Sequence, residues 1–186
     1  MLDLTACTDG ELAALALGGR QTAYTELMNR HREFVFRISR SHTADHDAAL
    51  DVTQQTFVSA FSALERYDGG RSFRHWIGRI AINKCHDWAR RRKVRRFFTF
   101  ALPIDDAQDI ADDGVGAETA IADRQELRRT MAAIANLPAR LKEVLVLRTI
   151  EDLSQAEAAE FLNISEKAVE TRLYRARAKL LENLRE

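Results

Sequence analysis

Leu153-Ser154-Gln155-Ala156-Glu157-Ala158-Ala159-Glu160-Phe161-Leu162-Asn163-Ile164-Ser165-Glu166-Lys167-Ala168-Val169 decides the fold, because it reads as a helix-turn-helix. Ser154 suits an N-cap, and Glu157, three residues on, is its reciprocal capping partner. Ala158 and Ala159 are small where two helices must cross closely. Asn163 tolerates the left-handed conformation that a tight turn needs, Ile164 plugs the core beside it, and Ser165 caps the second helix.

That second helix divides into two faces. Val169, Leu173, Ala176 and Leu180 recur at steps of four, three and four and form the stripe expected to be buried. Opposite lie Lys167, Thr171, Tyr174, Arg175 and Ala178, a face of short polar, aromatic and guanidinium groups suited to a major groove. Arg172, Arg177 and Lys179 flank this face where phosphates would pass. An amphipathic helix with a solvated basic side explains the charges alone. The capped turn and the small crossing residues together favour DNA binding.

Outward from this motif the chain keeps a helical character. It has only eight Gly and two Pro in 186 residues, while Ala, Leu, Arg and Glu abound, and these lose little rotamer freedom in a helix. Apolar residues at 46% suffice for a core, and 30% charged residues point to a soluble protein. No apolar run is long enough to span a bilayer, and no basic segment followed by an apolar one opens the chain, so a cytoplasmic protein without membrane insertion is expected. Cys7 and Cys85 lie far apart and outside any CxxC pair, which argues against a disulfide framework or a metal site. Cys85 reads as a small half-buried thiol.

The 28 basic and 28 acidic residues cancel, and the cancellation hides a pattern. No Lys or Arg lies between Arg96 and Arg124, where Asp105, Asp106, Asp109, Asp112, Asp113, Glu118 and Asp123 all fall. Two basic modules are joined by an acidic strap. The expected fold is therefore all-α. Residues 1–96 make one small helical domain, residues 97–116 a flexible acidic linker, and residues 117–186 a second helical domain containing the helix-turn-helix. In the first domain, Thr8 or Asp9 caps a helix through Leu17, and a second runs from about Thr22 to Ser41 with Ala23, Leu27, Phe34, Val35 and Ile38 inward. A third opens at Asp45 to Asp47, with Leu50, Phe57, Ala60, Phe61 and Leu64 at helical spacing. Tyr67-Asp68-Gly69-Gly70 is a turn, and a fourth helix carries Phe73, Trp76, Ile77, Ile80, Ala81 and Trp88 towards the core.

At this point a resemblance becomes specific. Leu137-Pro138, Arg140 to Arg148, Leu153-Ser154 and Val169-Glu170-Thr171-Arg172-Leu173-Tyr174-Arg175-Ala176-Arg177 resemble the promoter-binding domain of extracytoplasmic-function (ECF) sigma factors. The resemblance implies that this helix reads the −35 promoter element as duplex. The family often has Gly where Lys167 stands and a basic residue where Glu170 stands; a carboxylate there can accept from a cytosine amino group.

The first half resembles the same family. Asp51-Val52-Thr53-Gln54-Gln55-Thr56-Phe57 is similar to the helix that grips core RNA polymerase. With Phe57, Phe61 and Leu64 inward, Asp51, Gln54, Gln55 and Val58 form an outward stripe for that contact. Phe73 to Arg91 resembles the sequence that meets the melted −10 element. Arg79, Asn83, His86 and Arg90 share one flank of this helix, Arg91 follows, and the loop with Tyr67 and Arg71 matches where the family holds an unstacked base. Trp76 and Trp88 sit on the apolar stripe and read as core; His75 and His86 read as ordinary boundary residues.

The resemblance implies a subunit that binds core polymerase, duplex −35 and single-stranded −10 DNA, under the control of an anti-sigma factor. It implies that the acidic linker threads towards the polymerase interior. No nucleophile beside a base, acidic metal cluster or phosphate-cradling Gly loop is found, so no enzyme activity, metal or cofactor is expected. The alternative is a stand-alone helix-turn-helix transcriptional regulator, which would bind duplex DNA without polymerase.

Overall fold

The computed structural model describes residues 3–99 and 118–185, so most of the acidic strap lies outside the described residues. Every regular element described is helical. After a 3-10 turn at Leu4–Ala6 come α1 (Asp9–Leu17), α2 (Gln21–Thr43), α3 (His46–Ser62), a 3-10 turn at Leu64–Arg66 and α4 (Phe73–Thr99). The second half holds α5 (Glu118–Ala135), α6 (Ala139–Leu145), a π-helical turn at Val146–Ile150, α7 (Gln155–Leu162) and α8 (Glu166–Arg185).

The helix starts follow from local chemistry. Thr8 and Glu11 form a capping box on α1, and the Asp45 carboxylate accepts from Ala48 N at 2.7 Å to start α3. α2 ends where Ala44 turns left-handed at φ 57°. α4 continues three residues beyond Arg96, because no breaker precedes Thr99, so the chain expected to begin the linker is still helical. α5 runs unbroken from Glu118 to Ala135.

In the N-terminal bundle, α2 is the central element. Its Ala23, Leu27, Phe34, Val35 and Ile38 are buried against Leu12 and Ala16 of α1, Val52, Phe57 and Ala60 of α3, and Phe73, Ile77, Ala81 and Cys85 of α4. Leu50 is a correction: it is 49% exposed on the outer side of α3. Cys85 is another, being fully enclosed because it continues the inward Ile77 and Ala81 steps of α4. Trp76 and Trp88 are half-buried; the Arg92 guanidinium lies 5.2 Å from the Trp88 ring.

Polar contacts fix the chain before α1. Arg30 donates to the carbonyls of Leu4, Thr5 and Cys7 at 2.8–3.0 Å and pairs with Glu26 and Asp9. Asp9 Oδ2 also meets the buried His31 Nε2 at 2.8 Å, and this hydrogen bond holds the Asp9 carboxyl below its ordinary range. Gly10 then packs so closely on the turn before α4 that a Cβ there would lie 2.5 Å from the Gly69 carbonyl oxygen. The loop that leads into α4 is thereby held on the end of α1.

The two halves pack on each other through one continuous apolar cluster. Phe161 of α7 projects onto α4 at Gly78, where a Cβ would come within 2.6 Å of its Cζ. His75 stacks on the same ring, with centroids 4.6 Å apart and planes inclined by 22°. Further along α4, a cavity of about 570 Å³ is lined by His42, Trp88, Arg92 and Lys93 from one side and Ala132, Ala135 and Lys142 from the other. His42 donates through Nδ1 to the Ile38 carbonyl at 2.9 Å, while its Nε2 is buried with no hydrogen-bond partner. Burial, reinforced by Lys142, lowers the His42 pKa to about 3.

Candidate nucleic-acid interface

The helix-turn-helix forms as its residues dictate. Ser154 Oγ accepts from Glu157 N at 3.2 Å and Glu157 Oε2 accepts from Ser154 N at 2.7 Å, closing the capping box. These bonds hold the Glu157 carboxyl below the usual carboxylate range. Asn163 takes φ 52° and ψ 52°, which ends α7 and lets Ile164 N reach the Ala159 carbonyl at 3.0 Å. Ser165 Oγ then accepts from Ala168 N at 3.2 Å and starts α8.

On α8, Val169 and Ala176 are buried and Leu173 and Leu180 are half-buried against the core, as the stripe predicts. Lys167, Glu170, Thr171, Tyr174, Arg175, Arg177 and Lys179 face solvent, Tyr174 with 77% of its surface free; Arg172 is half-buried at the edge. Lys167 Nζ pairs with Glu170 Oε2 at 2.9 Å, and Thr171 Oγ1 donates back to the Lys167 carbonyl at 2.8 Å. Lys179 pairs with Glu182 at 2.8 Å. These surface pairs are weak enough to be exchanged for phosphate or base contacts.

The face predicted on α4 is less uniform. Arg79, Asn83, Arg90 and Arg91 are exposed, Arg90 in an ion pair with Asp87. The Tyr67 hydroxyl donates to the Arg71 carbonyl, while its ring packs on Phe73 and Trp76 with centroids 5.1 and 5.2 Å away. Arg71 pairs with Asp68 at 3.2 Å. His86 departs from the expectation of an ordinary boundary residue, because its Nε2 meets Glu143 Oε1 of α6 at 2.7 Å. The C-terminal half thus leans on one edge of this flank and leaves Arg79, Asn83 and Arg90 open beside it. On α3, Asp51, Gln54, Gln55 and Val58 all face solvent, and Val58 is 60% exposed.

Sequence reasoning missed the polar centre of the seam. The Glu151 side chain is fully enclosed. Arg37 donates to both its oxygens at 2.9 Å, and Arg74 Nη2 donates to Oε2 at 3.0 Å. The Arg74 guanidinium also lies 4.4 Å over the Phe34 ring. Glu151 follows directly on the π-helical turn, whose extra residue per turn sets the direction in which the chain leaves α6. Gly78, alone among Ile77 and Ile80, was the available signal of a close approach.

Among the described residues no group of three or more His, Cys, Asp and Glu is placed to hold a metal, and no helix is long and apolar enough to cross a membrane. The chain matches the family model for Sigma-70 region 2 over residues 27–95 and that for Sigma-70, region 4 over residues 127–180. It is 42% identical to the RNA polymerase sigma factor CnrH of Cupriavidus metallidurans over 92% of each chain. It is 31% identical to the ECF RNA polymerase sigma factor SigM of Mycobacterium tuberculosis, covering 93% of this chain and 83% of that one. The solved structure of CnrH in complex with the cytosolic domain of CnrY superposes with a TM-score of 0.68 at 35% identity, covering 95% of this chain and 96% of that chain. The two matched regions contain the α4 flank and most of the capped helix-turn-helix. The chain belongs to the ECF family of RNA polymerase sigma factors.

Proposed function

We propose that this sigma factor reads its promoter with three separate surfaces. Asp51, Gln54, Gln55 and Val58 dock on core polymerase. Arg79, Asn83, His86, Arg90 and Arg91, with Tyr67 and Arg71 in the preceding loop, receive the single-stranded −10 element. Lys167, Glu170, Thr171, Arg172, Tyr174, Arg175, Arg177 and Lys179 engage the −35 duplex. In this reading residues 1–96 and 117–186 are the two functional domains, and residues 97–116 connect them through the polymerase.

The carrying observation is the recognition helix. A capped helix-turn-helix presents six polar or charged groups and Tyr174 to solvent, while its apolar stripe packs on the core. The chemistry is binding alone. Free energy from holding unstacked −10 bases and their phosphates offsets the cost of opening the duplex, so the chain needs no catalytic residue or cofactor. It acts in the cytoplasm, where polymerase and promoter are.

A regulatory protein partner belongs to this reading, supported by the relatives solved as CnrH with CnrY and as RpoE with the anti-sigma factor NepR from Bartonella quintana. The test is in vitro transcription with core polymerase and a promoter library. A defined set of transcripts that needs this chain is expected. Sequence-specific duplex binding with no polymerase affinity would instead reveal a stand-alone regulator.

A further inference from the structure

We propose that the first turn of α1 is a positioning element for −10 recognition: Gly10 seats the backbone at Gly69, and Asp9, held by His31 and Arg30, fixes that turn, so that the loop between Tyr67 and Phe73 keeps the form in which it receives the strand. The inference rests on the −10 reading above and adds to it residues that touch no DNA.

Three observations carry it. First, the contact at Gly10 is backbone against backbone. A Cβ there would lie 2.5 Å from the Gly69 carbonyl oxygen, 3.3 Å from its carbonyl carbon and 3.4 Å from its Cα. No flexible side chain stands at that point to give way. Gly10 is the second residue of α1. A helix is better served by alanine than by glycine, so the close approach of the loop accounts for the residue.

Second, that turn is itself anchored. Asp9 Oδ2 meets His31 Nε2 at 2.8 Å and Asp9 Oδ1 accepts from Arg30 at 3.2 Å, while Thr8 and Glu11 close the capping box around them. His31 is buried, and its ring centroid lies 5.0 Å from that of Phe73, the first residue of α4. Phe73 in turn packs on Tyr67, with centroids 5.1 Å apart. A chain of contacts thus runs from α1 through α2 to both ends of the loop.

Third, the span between those ends is exposed. Residues 68–72 face solvent, and their bonds close the loop on itself. Gly70 N donates to Asp68 Oδ1 at 3.0 Å, Arg71 N donates to the Asp68 carbonyl at 2.9 Å, and the Arg71 guanidinium pairs with Asp68 at 3.2 Å. Gly10 supplies a contact from the bundle to the middle of this span. A loop that must order itself around an unstacked base loses affinity to that ordering, and a backbone already fixed lowers the cost. The effect falls on the −10 strand and spares the −35 duplex, because α8 belongs to the other half.

The test uses holoenzyme reconstituted from core polymerase and the full chain. Its probes are fluorescein-labelled single-stranded oligonucleotides carrying a −10 sequence, one intact and the others with a single abasic site at each position in turn. Wild type is compared with Gly10→Ala, Asp9→Asn and the control Gly18→Ala, whose Cβ would meet nothing nearer than the Leu15 carbonyl oxygen at 3.4 Å. Circular dichroism verifies the helix content of each, and −35 duplex binding reads the other half. In wild type and Gly18→Ala, removing the base that the loop holds is expected to weaken binding about tenfold. Gly10→Ala should bind the intact strand about five- to tenfold more weakly. It should lose less than about twofold further when that base is removed, with its response at the other positions unchanged. Such non-additivity couples Gly10 to one base, which a mere loss of stability would not do. Asp9→Asn should shift in the same direction, and it decides the matter if the added methyl of Gly10→Ala prevents folding or assembly. Equal responses to the abasic series in wild type and both variants would overturn the proposal. So would losses spread evenly over every position and the −35 duplex, the mark of general destabilisation. A wild type indifferent to every abasic site would instead refute the loop's role in holding a base, and this inference with it.

Discussion

Gly78→Ala should part the two halves of this sigma factor without touching a charged group. The added Cβ would lie 2.6 Å from Phe161 Cζ, 2.9 Å from Phe161 Cε2 and 2.9 Å from Phe34 Cε1. Overpacking of this kind costs about 1–3 kcal/mol, whereas replacing Gly by Ala inside a helix returns about 1 kcal/mol. Phe34 belongs to the same bundle and stays in place when the halves separate, but Phe161 departs with α7. The packed arrangement therefore loses on the order of 1–2 kcal/mol relative to the separated one, a 5- to 30-fold shift in their ratio. Small-angle scattering reads this as a larger radius of gyration, with helix content unchanged by circular dichroism. Gly69→Ala is the control, because its Cβ would meet nothing nearer than Gly10 Cα at 3.7 Å. A Gly78→Ala chain that stays compact and melts several degrees higher would refute the reasoning, because helix propensity would then outweigh the contact with Phe161.

Ser154→Ala removes the cap of α7 and should cost about 1 kcal/mol in denaturant unfolding, with a parallel loss of −35 duplex affinity. His42 is buried neutral, so its contribution to stability is complete above its unfolded value of 6.5 and is lost as pH falls towards about 3. The limiting slope is ~1.4 kcal/mol per pH unit, and His42→Asn should flatten it in urea titrations across that window. Asp9, whose carboxyl His31 holds down, adds a further loss only below 3.8. Val58→Glu should abolish pull-down of core polymerase while leaving the thermal midpoint unchanged, since the side chain it replaces faces solvent.

What the sequence disclosed was what neighbouring residues decide among themselves. The capping box of Ser154 and Glu157, the left-handed Asn163 and the Val169–Ala176 stripe each depend on fewer than a dozen residues, and each appears as read. Most of the charged and polar residues proposed for promoter and polymerase face solvent, because the apolar period of their helices turns them outward. Leu50 misled because helical spacing alone cannot tell the core side of α3 from its rim. The seam was illegible for a different reason. Arg37 and Glu151 stand 114 residues apart, and nothing local to either names the other. The direction in which Glu151 points depends on a π-helical turn, a feature with no propensity signature. His86 looked like a boundary residue because its partner, Glu143, belongs to another helix of the other half.

The unequal surroundings of the two thiols have a practical consequence. Cys85 is sealed inside the N-terminal core, where burial pushes its pKa to about 12, whereas Cys7 is only partly covered beside the turn that Arg30 pins. Alkylation proceeds through the thiolate, so a maleimide dye at neutral pH attaches to Cys7 alone. The wild-type polypeptide therefore accepts a single fluorophore at a defined position without mutagenesis. Uptake of a second label, followed by mass spectrometry, becomes a clock for the opening of its interior.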